Sequence, residues 1–89
     1  MAEAIVLIET ESGVQIEGDT YTEVELEEVF RNIVNLDEVK KAAEVTGPYD
    51  IIAWLEADDI EDITGDLVKK IRSFSGVGDS LTNIVVKSE

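Results

Sequence analysis

The residues best equipped for chemistry lie together in one short segment, Gly47-Pro48-Tyr49-Asp50. Glycine accepts positive φ and proline holds φ near about −65°, so the segment is predicted to form a tight turn. Its tip carries the phenol of Tyr49 and the carboxylate of Asp50. These two groups are either ordinary turn residues or the edge of a recognition site, and that choice governs the functional interpretation.

Strands on both sides must position this turn. Residues 39–46 and 51–56 have the composition of β-strands, so they predict a β-hairpin that the turn closes. A short apolar run at residues 4–8 predicts an earlier strand, and residues 81–87 predict a final one.

Two helices are predicted between these strands. Thr22 and Glu25 fit a capping box that begins a helix over residues 23–35. Asp58 and Asp59 offer caps for a second helix, and Gly76 suits a left-handed residue after its end. The predicted apolar face of this second helix consists of Ile60, Ile63, Leu67, Ile71 and Phe74.

The resulting order is β-α-β-β-α-β. It predicts an α+β, ferredoxin-like sandwich with a four-stranded antiparallel sheet and two helices on one face. Residues 10–21 are polar, and the alternation Val14-Gln15-Ile16 within them fits either a strand extension or a small hairpin arm. A chain of 89 residues without low-complexity segments is expected to form a single domain, residues 1–89.

The face of the sheet that the helices leave open is predicted to be apolar. Ile52 and Trp54 point away from the helix side, because side chains alternate along a strand. The simplest cover is the sheet of an identical chain, so we expect a dimer with Ile52 and Trp54 in its interface. The alternative is that residues 10–21 fold over Trp54.

Composition excludes several kinds of site. The chain has no cysteine and no histidine, so thiolate nucleophiles, imidazole bases and zinc sites with nitrogen or sulfur ligands are absent. Its net charge is −14, and its seven cations are scattered, which argues against direct nucleic-acid binding. The acidity indicates either solubility or adaptation to a salt-rich cytoplasm. Because neither a signal peptide nor a membrane span is visible, a cytoplasmic location is expected.

These segments together resemble the ligand-binding domain of the Lrp/AsnC family of transcriptional regulators, also called the RAM domain. The matching pieces are Val45-Thr46-Gly47-Pro48-Tyr49-Asp50, the apolar strand after it, a helix that begins near paired aspartates, Gly76-Val77, Ser80-Leu81-Thr82 and Ile84-Val85-Val86. Members usually carry an N-terminal helix-turn-helix, for which this chain has no room, so it looks like a stand-alone version. Residues 10–21 depart from the family pattern as an acidic insertion.

The resemblance implies a site and a mode of assembly. Family members form dimers through their sheets, then rings of dimers, and bind small effectors, typically amino acids, between dimers. By motif, Gly47, Tyr49 and Asp50 would line the effector pocket, with Ser80 and Thr82 nearby. Asp50 can accept hydrogen bonds from the ammonium of a free amino acid, while hydroxyl and backbone N–H groups can hold its carboxylate. A structural role alone remains the alternative for all five residues.

Three other functions compete with this interpretation. A small dimeric enzyme would depend on Asp50 beside Tyr49, but no nucleophile–base pair or cofactor loop is visible, so we expect no catalytic residues and no cofactor. A metal site at residues 58–62 lacks the calcium-loop pattern, so a capped, acid-rich helix start is the expected interpretation and no metal ligands are assigned. An adaptor that joins rings of full-length, DNA-binding Lrp/AsnC relatives is the third alternative.

Overall fold

The computed structural model describes the backbone of residues 1–11, 13–17, 20–24 and 26–86, and the side chains of residues 1–11 and 26–86. The strands are β1 (Ala2–Thr10), β2 (Gly13–Glu17), β3 (Thr20–Val24), β4 (Val39–Glu44), β5 (Ile51–Ala57) and β6 (Val77–Ile84). The helices are α1 (Leu26–Val34) and α2 (Val68–Ser73), and a π-helical segment, Asp62–Leu67, leads directly into α2.

The main sheet is antiparallel and has the strand order β4-β5-β1-β6. With α1 after β1 and α2 after β5, this architecture confirms the predicted ferredoxin-like order. β2 and β3 pair with each other as a separate two-stranded sheet, so the small hairpin arm is the alternative that forms.

One hydrophobic core lies between the sheet and the helices. Both helical segments bury apolar side chains against the same face of the sheet, since all of these residues belong to one cluster. The buried members are Ala4, Val6, Ile8, Val29, Ile33, Ile51, Ala53, Leu55, Ile63, Leu67 and Ile71. Both helices therefore cover one face of the sheet, as the alternation in β5 predicts.

The start of α1 differs from the prediction. The helix begins at Leu26, whereas Thr22 lies within β3, where it is paired with Gln15 of β2. The capping box at Thr22 is therefore wrong, because its backbone is extended. The consecutive residues Thr20, Tyr21 and Thr22 favour a strand, and pairing with β2 outweighs the local helix signal.

The second helical stretch begins where it was expected, but Ile60 does not belong to its apolar face. Ile60 is 49% exposed, whereas Ile63 is fully buried. The Asp62 carboxylate accepts the backbone N–H of Asp59 at 3.3 Å, and the backbone N–H of Asp62 donates to the Asp59 carbonyl at 3.2 Å. A side chain that reaches back to the backbone N–H of the residue before a helix is one half of a capping box, so the carboxylate of Asp62 caps this start. The expected caps from the side chains of Asp58 and Asp59 do not form among the described residues.

The last strand lies earlier in the chain than expected, at Val77–Ile84. It follows a turn in which the Val77 N–H donates to the Phe74 carbonyl at 3.2 Å. Gly76 has φ +92° and occupies the third position of this turn, where positive φ favours glycine. The positive φ of Gly76 confirms the left-handed residue expected after the second helix. The turn around Gly76 allows β6 to begin immediately afterwards.

No described helix is both long enough and apolar enough to cross a membrane.

Candidate functional site

The turn between β4 and β5 is held at both ends by backbone hydrogen bonds. The Val45 N–H donates to the Asp50 carbonyl at 2.8 Å, which closes the loop, and the Asp50 N–H donates to the Ile8 carbonyl of β1 at 2.9 Å. Gly47 has φ +143°, a value that side-chain-bearing residues rarely adopt, and no atom lies within 4 Å of the position its Cβ would take. The turn is thus anchored to the central strand while its tip stays open.

The Asp50 carboxylate binds the end of β1 through one oxygen. Its Oδ2 accepts hydrogen bonds from the Thr10 backbone N–H at 2.8 Å and from the Thr10 hydroxyl at 3.0 Å. No described residue donates a hydrogen bond to Oδ1. Asp50 therefore has a structural contact and a second oxygen available for another donor.

The start of the turn borders open space, next to Leu26 of α1. Tyr49 is half-buried, and Gly47 is exposed. An open depression of about 590 Å³ adjoins the start of the turn and is lined by Leu26, Glu44, Val45 and Thr46, so the predicted site residues Gly47, Tyr49 and Asp50 do not line it. The wall of this depression combines apolar and polar groups, as small-molecule sites usually do.

Ser80 lies on β6, on the face that the helices cover, and is only 6% exposed. Its hydroxyl oxygen accepts the Arg72 Nε–H at 2.9 Å, and its carbonyl accepts Arg72 Nη2 at 3.3 Å. The Ser80 N–H donates to Oδ1 of Asp79 at 2.9 Å. Arg72 of α2 thus reaches the edge strand and binds one of its carbonyl groups, and covering an edge in this way is a usual means of protecting a sheet.

Thr82 follows on the same face of β6, opposite Val6 of β1. Its hydroxyl oxygen is buried and has no hydrogen-bond partner among the described residues. A buried hydroxyl without a partner is unfavourable, so this oxygen can accept a hydrogen bond from a water molecule or from another donor that reaches β6.

The turn and the β6 hydroxyl groups do not converge within one chain. Ser80 lies opposite Ile8 on one side of β1, and Ile51, next to Asp50, lies opposite Ile8 on the other side. Two strand spacings of about 4.8 Å each place these positions about 10 Å apart. The two halves of the predicted site are therefore separated by the central strand.

Two partners of these site residues were not identified from the sequence. Thr10 binds Asp50 across 40 positions of the chain, a pairing that only strand register reveals. The Arg72 guanidinium binds the Ser80 hydroxyl, although no sequence motif links these two residues. A cation in the last turn of a helix, shortly before a serine-bearing strand, is the sequence signal for that contact.

The open face of the sheet carries the second predicted surface. Ile52 and Trp54 are half-buried, and the register places Leu7 opposite Ile52 and Ile5 opposite Trp54. The ammonium of Lys41 lies 5.1 Å from the centre of the Trp54 ring, within the range of a cation–π contact. A depression of about 650 Å³ on this face is lined by Glu3, Ile5, Trp54, Asn83, Ile84, Val85 and Val86.

A third cavity, of about 430 Å³, is rich in carboxylates. It is lined by Asp37, Glu38, Lys40, Glu56, Ala57, Asp58, Asp62, Asp66, Leu67 and Lys70. Among the described residues, no group of three or more potential ligands has an arrangement that could hold a metal ion.

Known proteins share both the sequence pattern and the fold of this chain. Residues 3–89 match the sequence model of the Lrp/AsnC ligand binding domain. The crystal structure of FFRP-DM1 is 28% identical, covers 97% of this chain and 100% of its own, and has a TM-score of 0.78. TTHA0845 from Thermus thermophilus is 26% identical over 100% of this chain and 98% of its own, with a TM-score of 0.77.

Longer proteins contain a similar segment. Escherichia coli AsnC shares the fold, with 22% identity, a TM-score of 0.76 and coverage of 98% of this chain and 52% of its own. The homocitrate synthase of Sulfurisphaera tokodaii is 32% identical over 80 residues, which are 90% of this chain and 16% of that enzyme. That of Sulfolobus acidocaldarius is 31% identical over 84% of this chain and 15% of its own. The chain thus spans about a sixth of these curated relatives, and it belongs to the Lrp/AsnC ligand binding domain family.

Proposed function

We propose that this domain is a non-enzymatic regulatory domain that binds a free amino acid and associates with copies of itself. The effector binds beside the turn at Gly47, Tyr49 and Asp50, and Asp50 accepts hydrogen bonds from its ammonium group. Binding shifts the assembly of the domain, and through it the activity of the protein or partner to which the domain is coupled.

The proposal rests mainly on the hydrogen bonding of the Asp50 carboxylate. One oxygen is held by two hydrogen bonds from Thr10, so the group is fixed in place before a ligand arrives. The other oxygen receives no hydrogen bond from any described residue. A positioned, half-buried carboxylate with an oxygen that no described residue binds is a suitable partner for an ammonium group, since hydrogen bonds to charged groups are stronger than those between neutral groups.

The separation of Asp50 from Ser80 and Thr82 supports a site built by two chains. Because β1 lies between them within one chain, a site that uses both halves would combine the turn of one chain with β6 of a neighbouring chain. A site between protomers would couple ligand binding to assembly, because the effector would stabilise only the assembled form.

Self-association is proposed through the open face of the sheet. Its half-buried side chains Ile5, Leu7, Ile52 and Trp54 form an apolar strip, and Leu81, 48% exposed, extends it onto β6. A chain of 89 residues buries a limited core, so covering this strip with a second copy adds apolar burial that the fold lacks by itself. Rings of dimers, the expected higher assembly, would then bring turns and β6 strands together.

A second candidate function is suggested by the homocitrate synthases. A segment similar to this chain makes up 16% of the Sulfurisphaera tokodaii enzyme. The same effector site is thus also suited to controlling an enzyme, either within one chain or by association. Co-assembly with full-length Lrp/AsnC regulators, without effector binding, is the adaptor alternative.

Isothermal titration calorimetry of the wild-type protein against each common amino acid tests the proposal. Asp50→Asn retains an acceptor for Thr10 but loses the charge, so affinity should fall about tenfold or more, or by roughly 1.5–3 kcal/mol. Asp50→Ala should abolish detectable binding, and Gly47→Val should also disturb the turn itself. Asp37→Asn, which removes an exposed carboxylate outside the turn, is the matched control and should bind like the wild type.

The outcomes separate the candidates. No heat with any amino acid would overturn effector sensing and favour the adaptor. Equal affinities for wild type and Asp50→Asn would move the site away from the turn. Mixing the protein with a full-length relative, followed by size-exclusion chromatography, would reveal co-assembly as a new species.

A further inference from the structure

The ends of the apolar strip on the open face are acidic. Glu3 lies directly opposite Glu56 in the pairing of β1 with β5, and Glu9 lies directly opposite Asp79 in the pairing of β1 with β6. We call these the rim pairs. Glu3 and Glu9 follow the alternation of Ile5 and Leu7 on β1, so both rim pairs share the open face with the strip.

Each rim pair places two like charges at neighbouring positions of the sheet. Directly opposite side chains have Cβ atoms about 4.5–5.5 Å apart, and like charges there are destabilising. Among the described residues, the one ion pair joins Arg31 to Glu27 on α1, so it neutralises neither rim pair. The ammonium of Lys41, in contact with the Trp54 ring, pairs with none of these carboxylates.

Two sheets that pack face to face lie about 10 Å apart, with their strands aligned within about 30°. Either direction of alignment brings an acidic end of one strip to an acidic end of the other, because both ends carry a rim pair. At about 0.1 M salt the Debye length is about 10 Å, so the rims repel across the interface; at about 1 M it is about 3 Å and they are screened.

We infer that pairing of two copies through the open face is controlled by the rim pairs, so that salt drives the domain from separate chains to assembled ones. This inference rests on the self-association proposed above. The apolar strip supplies the attraction, while the rim pairs set the ionic strength at which attraction exceeds repulsion. The partner is thus a second copy of this chain under screening conditions.

Sedimentation equilibrium at 50 mM and 1 M NaCl tests the inference with two matched variants. The rim variant combines Glu3→Gln, Glu9→Gln, Glu56→Gln and Asp79→Asn. The control variant combines Asp37→Asn, Asp59→Asn, Glu61→Gln and Asp66→Asn, four carboxylates of the helical side and its loops. Both variants change the net charge by the same amount, from −14 to −10, because each removes four negative charges.

The wild-type dissociation constant should be about tenfold or more higher at 50 mM than at 1 M NaCl, because screening at 1 M NaCl removes the repulsion. The rim variant should already dimerise at 50 mM NaCl and show little further change, whereas the control variant should keep the wild-type salt dependence. A wild-type constant independent of salt, or a control variant that behaves like the rim variant, would overturn the inference.

The inference and the proposed interface fail in different ways. If Trp54→Asp abolishes the dimer at both salt concentrations while wild-type affinity ignores salt, the interface stands and only rim control is wrong. If Trp54→Asp dimerises like the wild type, or the wild type stays monomeric at 1 M NaCl, the open face is not the interface and both are wrong.

Discussion

The two faces of the sheet are made by the same strands but differ in how deeply their side chains are buried. On the covered face, Val6, Ile8, Ile51 and Ala53 are completely buried by the helices. Their neighbours on the open face, among them Ile5 and Trp54, are only half-buried although they are also apolar. The comparison separates two tasks, because the covered face stabilises the single chain and the open face retains apolar surface for a partner.

Polar groups also differ between the faces. The covered face admits Ser80, which is satisfied by Arg72, and Thr82, whose hydroxyl has no described partner. The open face carries carboxylates at the ends of its apolar strip, where water can solvate them. Buried polar groups on one side therefore need partners within the fold, while the charged rim of the other side remains sensitive to solvent conditions.

The largest predicted effect tests the covered face. Ile51→Ala removes a fully buried side chain and should lower the free energy of unfolding by about 2–5 kcal/mol. Ile52→Ala, the adjacent residue on the open face, should cost clearly less in the monomer because Ile52 is already half-exposed to water. Urea denaturation followed by circular dichroism at low protein concentration and low salt measures both. Equal losses would mean that the two faces do not differ in the single chain.

A smaller effect tests the polar edge of the covered face. Arg72→Ala removes both hydrogen bonds to Ser80 and should lower the free energy of unfolding by about 1 kcal/mol, a modest value because Arg72 is itself exposed. Lys69→Ala, which removes an exposed cation of the same helix, should have almost no effect.

Calorimetry on Arg72→Ala also distinguishes the two roles of Ser80. Weaker amino-acid binding without lost stability would identify Ser80 as a ligand residue that Arg72 positions. Lost stability with unchanged binding would make Ser80 purely structural and confine the effector site to the turn.

Much of the fold was predictable because its signals are local and periodic. Alternation in β5 placed Ile51 and Ile52 on opposite faces, and the spacing of Ile63, Leu67 and Ile71 identified the buried side of the second helical stretch. The start of α1 was not predictable in this way, since Thr22 satisfies a capping pattern while its backbone pairs with Gln15. A local signal is overridden when a neighbouring strand offers the same residues a ladder of hydrogen bonds.

The candidate site could be predicted from the sequence less completely than the fold. The turn residues could be found because Gly47-Pro48 marks the turn, but the contact of Asp50 with Thr10 depends on the register of β5 against β1. Likewise, nothing in the sequence shows that β1 separates Ser80 from Asp50, because that follows from strand order. Chemistry can be assigned to single residues in a sequence, whereas their convergence requires the topology.

Light scattering coupled to size-exclusion chromatography at 1 M NaCl tests most directly whether the open face is an interface. The wild-type chain of 9.8 kDa should elute with twice that mass or a multiple of it. Trp54→Asp should elute as a folded monomer, because it removes the largest apolar side chain of the strip and pairing would have to desolvate a carboxylate, while Trp54→Phe should retain the assembly. A wild-type protein that remains at 9.8 kDa at micromolar concentrations, or a Trp54→Asp variant that assembles like the wild type, would contradict the account.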